Sequence, residues 1–141
     1  MNPALVAPLV LIAVGAHLTF SFGRDLYFGL ASRGWTRVPG RICRLGTDAG
    51  SAMRGDEALA VVYDYHVGGV AYRSNRYDYA GRNSRHFRDL YLTLSVGDDV
   101  SVWYDPSEPT RAVLVPGIER GNVLRILFGL AFLYVGFALL P

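Results

Sequence analysis

The sequence predicts a membrane α + β protein. Two transmembrane helices flank a small antiparallel β domain of about five strands, a partly closed barrel with one short helix. Three observations lead there. Apolar residues make up 51% of the chain and are concentrated at its two ends. The middle alternates apolar and polar residues with a period of two, as half-buried strands do. Glycine and proline then punctuate that middle at turn-like intervals. The expected organisation is a first helix and its extension over residues 1–33, the β domain over 34–118 and a second helix over 119–141.

The first span, Pro3 to Phe22, reads PALVAPLVLIAVGAHLTFSF and carries no formal charge. At about 20 residues it is long enough to cross roughly 30 Å of hydrocarbon as a helix. A cleaved signal peptide is the competing reading. It calls for a basic start and a shorter apolar run, whereas no basic residue precedes Arg24. The second span, Val123 to Pro141, reads VLRILFGLAFLYVGFALLP. Its one charge, Arg125, stands near the start, where its side chain can reach the interface. A buried helix of a soluble protein needs a polar face, and this segment offers none after Arg125. Gly15, Thr19 and Gly23 recur at four-residue spacing, and Gly129 and Gly136 share a face. Small residues let membrane helices approach closely, although glycine is also common in such helices for other reasons. His17 lies within the first span and is a candidate intramembrane polar site. A neutral histidine bonded to a carbonyl or hydroxyl is the alternative.

Between the spans, the first expected strand covers about Val38 to Leu45, followed by a Gly/Ser/Asp/Ala-rich loop from Gly46 to Gly55. Leu59, Val61, Tyr63, Tyr65 and Val67 then alternate with Ala60, Val62, Asp64 and His66. Gly68-Gly69 is a hairpin signal, and Val70 to Tyr79 is expected to return as the partner strand. Phe87 to Ser95 suits a short helix. After a Gly97-Asp98 turn, Val100, Val102 and Tyr104 alternate as another strand. Asp105-Pro106 and Glu108-Pro109 are both expected to stop it, because proline cannot donate to a ladder. A last short strand is expected from Ala112 to Val115.

These motifs together resemble a known family. Trp35 with Val38-Pro39-Gly40, the run from Tyr63 through Tyr65, Val67 and Gly69 to Tyr72, and Gly97-x-x-Val100-x-Val102-x-Tyr104-Asp105-Pro106-x-x-Pro109 ahead of Ala112-Val113-Leu114 are similar to the domain of unknown function 3592 family. Its members are bacterial proteins that pair a small β domain with flanking transmembrane helices. The resemblance implies a membrane-anchored domain and transfers no catalytic residue. It implies packing roles for Trp35 and Tyr104, turn or bulge positions for Gly40, Gly69 and Gly97, and a strand terminator at Asp105-Pro106.

No residue pattern points to catalysis, a metal or a cofactor. His66, His86 and Cys43 lack ligand spacing, and Asp98, Asp99 and Asp105 lack the dense loop of a calcium site. The serines stand in no nucleophile context, and no glycine-rich phosphate loop precedes a helix. A single cysteine excludes an intrachain disulfide. All fourteen basic residues are arginine and the net charge is +2, too small to argue for nucleic acid. Arg24, Arg33, Arg37 and Arg41 follow the first span, and Arg111 and Arg120 precede the second. This bias predicts a β domain on the cytoplasmic side, with both termini outside, and the resemblance implies that the membrane is a bacterial inner membrane.

The strongest local signal is YRSNRYDYAGRNSRHFR, with Arg73, Arg76, Arg82, Arg85 and Arg88 interleaved with aromatics. It reads as a solvated arm guarding a strand edge, as a contact for an anionic lipid surface, or as a nucleic-acid grip, in that order. The expected function is a non-enzymatic binding or scaffolding module held at the membrane surface. Its partners would be the bilayer and a protein or a second copy of the chain, with no nucleic acid. An extracytoplasmic envelope-assembly or stress module is the alternative, and an enzyme or regulatory subunit a distant third.

Overall fold

The computed structural model describes residues 3–48, 58–79, 89–118 and 120–140. Its contacts divide the chain into two compact units. One joins Met1–Phe28 to Ile118–Pro141, and the other is Gly29–Gly117.

The first unit is a helix pair. Helix α1 spans Pro3–Ala31 and helix α2 spans Arg120–Ala138. At 1.5 Å per residue their 29 and 19 residues reach about 44 and 28 Å. Both are long and apolar enough to cross a membrane. They run antiparallel, because contacts step down α2 as they step up α1. Arg125 lies over the Phe22 ring, 5.8 Å from its centroid. A Cβ added to Gly129 would come within 3.0 Å of the Thr19 backbone nitrogen. One on Gly15 would meet Leu133, and one on Gly136 would meet Ile12. Glycine therefore sets how closely the helices approach. Gly23, the third member of the predicted stripe, faces open space and takes no part. The large side chains point the other way: Phe20, Phe128 and Tyr134 are 73%, 61% and 76% exposed.

The second unit is a five-stranded antiparallel sheet curled into a half-barrel. Its strands are β1 (Thr36–Asp48), β2 (Ala58–Val67), β3 (Val70–Ser74), β4 (Asp99–Asp105) and β5 (Glu108–Val113), in the order β3-β2-β1-β4-β5. Alternation decides the faces. Ile42, Val61, Tyr63, Tyr65 and Val102 turn inward and are buried, joined by Ala112, Leu114 and Tyr77. Gly68 and Gly69 make the β2–β3 turn with φ of 58° and 82°, values that favour glycine. Gly40 is not a turn or bulge position. It sits inside β1 where a Cβ would come 2.8 Å from the Asp64 carbonyl oxygen, so it permits close strand approach. The bulge falls at Cys43 instead, between Ile42 and Arg44.

Three expectations change. The strand after the Gly68-Gly69 turn ends at Ser74 rather than Tyr79. Beyond it the chain leaves the ladder, yet the Tyr77 carbonyl accepts from the amides of Leu114 and Val115 at 2.9 and 3.0 Å. These bonds tie the two outer edges together and help close the half-barrel. Glu108-Pro109 does not stop a strand but opens β5, which is an edge strand and tolerates a residue with no amide hydrogen. The helix expected over Phe87 to Ser95 is, among the described residues, one turn over 89–91.

Candidate functional site

Two features of the β unit bring chemistry-bearing side chains together. The first is a row of alternating charge on the outer face of the sheet. Register places Arg73 opposite Asp64, Asp64 opposite Arg41, and Arg41 opposite Asp99. Four consecutive strands thus carry plus, minus, plus, minus in one line. The Arg73 guanidinium donates to both Asp64 carboxylate oxygens, at 2.6 and 2.8 Å, and Arg41 Nε donates to Asp99 at 3.2 Å. Hydrogen bonds from Arg73 and then Cys43 hold the Asp64 pKa down at about 2. The Cys43 thiol, hydrogen-bonded to Asp64 and partly desolvated, is pushed up. A thiol held in its protonated form is a poor nucleophile.

The second feature is the place where the chain enters and leaves the β unit. Ser32 is fully buried. Its hydroxyl donates to the Gly29 carbonyl at 2.7 Å and accepts from the Gly117 amide at 2.9 Å. One side chain therefore clasps the first and last residues of the unit. The local sequence explains the contact: a 3-10 turn, Ser32–Gly34, follows α1 and turns the serine inward. Strand register then fixes what surrounds this end. Arg37 lies opposite Trp103. Its Nε donates to Ser101 Oγ at 2.8 Å, and its guanidinium carbon sits 5.7 Å from the Trp103 ring centroid. In the β4–β5 turn, burial pulls the Asp105 pKa up, but hydrogen bonds from Ser107 and the nearby Arg111 charge bring it below the usual range. Arg111 also pairs with Glu108.

The arginine-rich stretch divides. Arg73 is tied to Asp64, and Arg76 packs over the Tyr79 ring, 4.7 Å from its centroid. Arg82, Arg85 and Arg88 lie outside the described residues. Tyr79 meets Trp35 edge-on, while the Tyr63 hydroxyl donates to the Arg76 carbonyl at 2.7 Å. This half of the stretch is thus fastened to the core of the unit. His17 lies exposed on α1, on a different face from Gly15 and Thr19. Among the described residues no three His, Cys, Asp or Glu side chains converge as metal ligands. A shallow open groove runs along Arg37–Pro39 and Asp99–Ser101.

The serine clasp and the Arg37–Trp103 stack were not foreseen from the sequence. A signal for the stack was present: Arg37 and Arg41 alternate on one strand, and Asp99, Ser101 and Trp103 on another. Pairing those two strands aligns them. The sequence profile of the family described as a domain of unknown function (DUF3592) matches residues 38–119, which takes in β2 to β5 and all of β1 but its first two residues. No curated protein matches the chain.

Proposed function

The chain belongs to the DUF3592 family, and on that premise we propose that it is a non-enzymatic membrane protein whose two helices hold a small β-barrel module at the bilayer surface, where the module binds or scaffolds a protein partner. The observation that carries this is the inverted exterior of the helix pair. Phe20, Phe128 and Tyr134 face outward while glycines fill the helix contact. Such a surface is favourable in hydrocarbon and unfavourable in water. The arginine bias around the helices supports a cytoplasmic position for the β unit in a bacterial inner membrane. A binding role rests on what the unit offers, namely a rigid tyrosine-rich core beneath a charged outer face.

Topology and membrane insertion are tested together. In a Cys43→Ser background, a cysteine replacing the exposed Val96 is probed in intact cells with a membrane-impermeant maleimide. Labelling only after permeabilisation is expected. Labelling of intact cells would place the β unit outside and favour an envelope-assembly role. Release of the chain by alkaline carbonate would overturn the membrane reading itself.

A further inference from the structure

We propose that the end of the β unit carrying Arg33, Arg37 and Trp103, with the uncharged β2–β3 hairpin tip beside them, is a contact surface for anionic phospholipid headgroups. The inference rests on the membrane reading above and adds the residues that make the contact. Because Ser32 clasps Gly29 to Gly117, the chain enters and leaves the unit at one place. On the membrane reading above, the connections to both spans therefore leave the unit from this end.

Register assigns the groups at this end. Thr36 pairs with Tyr104 and Arg37 with Trp103. Tyr65 lies opposite Gly40, so β2 runs on to bring Val67 and the Gly68-Gly69 turn toward the start of β1. The tip Val67-Gly68-Gly69-Val70 has no charge, and Val70 is 53% exposed. Tryptophan and arginine are the side chains that favour a membrane interface. The Arg37 guanidinium carbon lies 5.7 Å from the Trp103 ring centroid while Nε is occupied by Ser101. Its two terminal nitrogens have no protein partner among the described residues, so they are open to phosphate oxygens. Arg33 is exposed and forms no ion pair among those residues. The acids nearby are Asp105 and Glu108, and both are engaged by Arg111. Among the described residues of the β unit, three arginines, Arg33, Arg37 and Arg111, thus stand against two carboxylates at this end. His66 lies further along the outer face. By contrast, Arg41 and Arg73 in the neighbouring charge row are matched by Asp99 and Asp64.

The test uses the full-length chain in vesicles. A Trp35→Phe background leaves Trp103 as the single tryptophan. Its fluorescence is quenched with a headgroup-region quencher, in phosphatidylcholine alone and in phosphatidylcholine with phosphatidylglycerol. Quenching should be about twofold or more stronger with the anionic lipid at low salt, and should decline as salt is raised. Arg33→Gln with Arg37→Gln should abolish that lipid dependence, and Val70→Asp should weaken quenching in both lipids. Each preparation is checked for resistance to carbonate, so loss of insertion is distinguished from loss of headgroup contact. Equal quenching in the two lipids by carbonate-resistant protein would overturn the proposal. So would a lipid dependence that survives both arginine changes.

Discussion

The helix pair and the β unit solve the problem of apolar surface in opposite ways. In the β unit Tyr63 and Val102 are fully buried and charge covers the outside. In the helix pair the largest apolar side chains point out, and the inside is lined by Gly15, Gly129 and Gly136. A unit folding in water gains by hiding hydrocarbon. A helix pair surrounded by hydrocarbon gains nothing that way and relies on close backbone packing. The difference supports the reading of one chain built for two solvents, and on that reading substitutions should act by different rules in each half.

The sharpest way to break the comparison is to empty the β core. Tyr63→Ala removes a fully buried ring and the hydroxyl bond to the Arg76 carbonyl. A loss of about 3–5 kcal/mol is expected, comparable to the whole stability of a small domain. Near-ultraviolet circular dichroism and urea titration should report unfolding of the β unit while the chain stays carbonate-resistant.

A smaller effect is expected in the other half. Gly129→Leu forces a side chain against the Thr19 backbone, an overpacking of about 1–3 kcal/mol. Disulfide trapping between cysteines at Ile12 and Gly136 should then fall, with the β unit's urea midpoint unchanged. Phe128→Leu, on the outer face, should leave trapping as it was.

Next comes Ser32→Ala, which removes the hydroxyl that accepts from the Gly117 amide and donates to the Gly29 carbonyl. It should lower β-unit stability by about 1–2 kcal/mol and speed amide exchange at Gly117, with the core amides little changed.

The smallest effect belongs to the solvent-screened charge row. A carboxylate held at about 2 contributes stability above its unfolded value and loses it as pH falls. The urea midpoint should therefore decline from about pH 4 toward pH 2. Asp64→Asn should flatten that part of the decline.

Much of the fold was legible because two periodicities are written plainly. The uncharged run from Pro3 to Phe22 and the alternation from Val61 to Val67 each identify an element without help from the rest of the chain. The Gly68-Gly69 hairpin was equally local. What escaped depends on partners distant in sequence. Tyr77 bonds across the barrel to Leu114 and Val115, so nothing near Tyr77 announces that the strand has ended. Pro109 looks like a stop until β5 is known to be an edge. Ser32 gains its meaning only from Gly117, 85 residues away. Of the site, the arginines were visible as a composition, but the pairing that neutralises Arg73 and leaves Arg37 open is a matter of register.

The central claim is that the helix pair's outer face is made for lipid and the β unit's for water. Single cysteines placed at Phe20, Phe128 and Tyr134, and at Leu92 and Val96, in a Cys43→Ser background test it directly. With a small water-soluble maleimide applied to permeabilised membranes, Leu92→Cys and Val96→Cys should label fully. The three helix positions should stay unlabelled until detergent and denaturant are added. Rapid labelling of all five positions in intact bilayers would contradict the account.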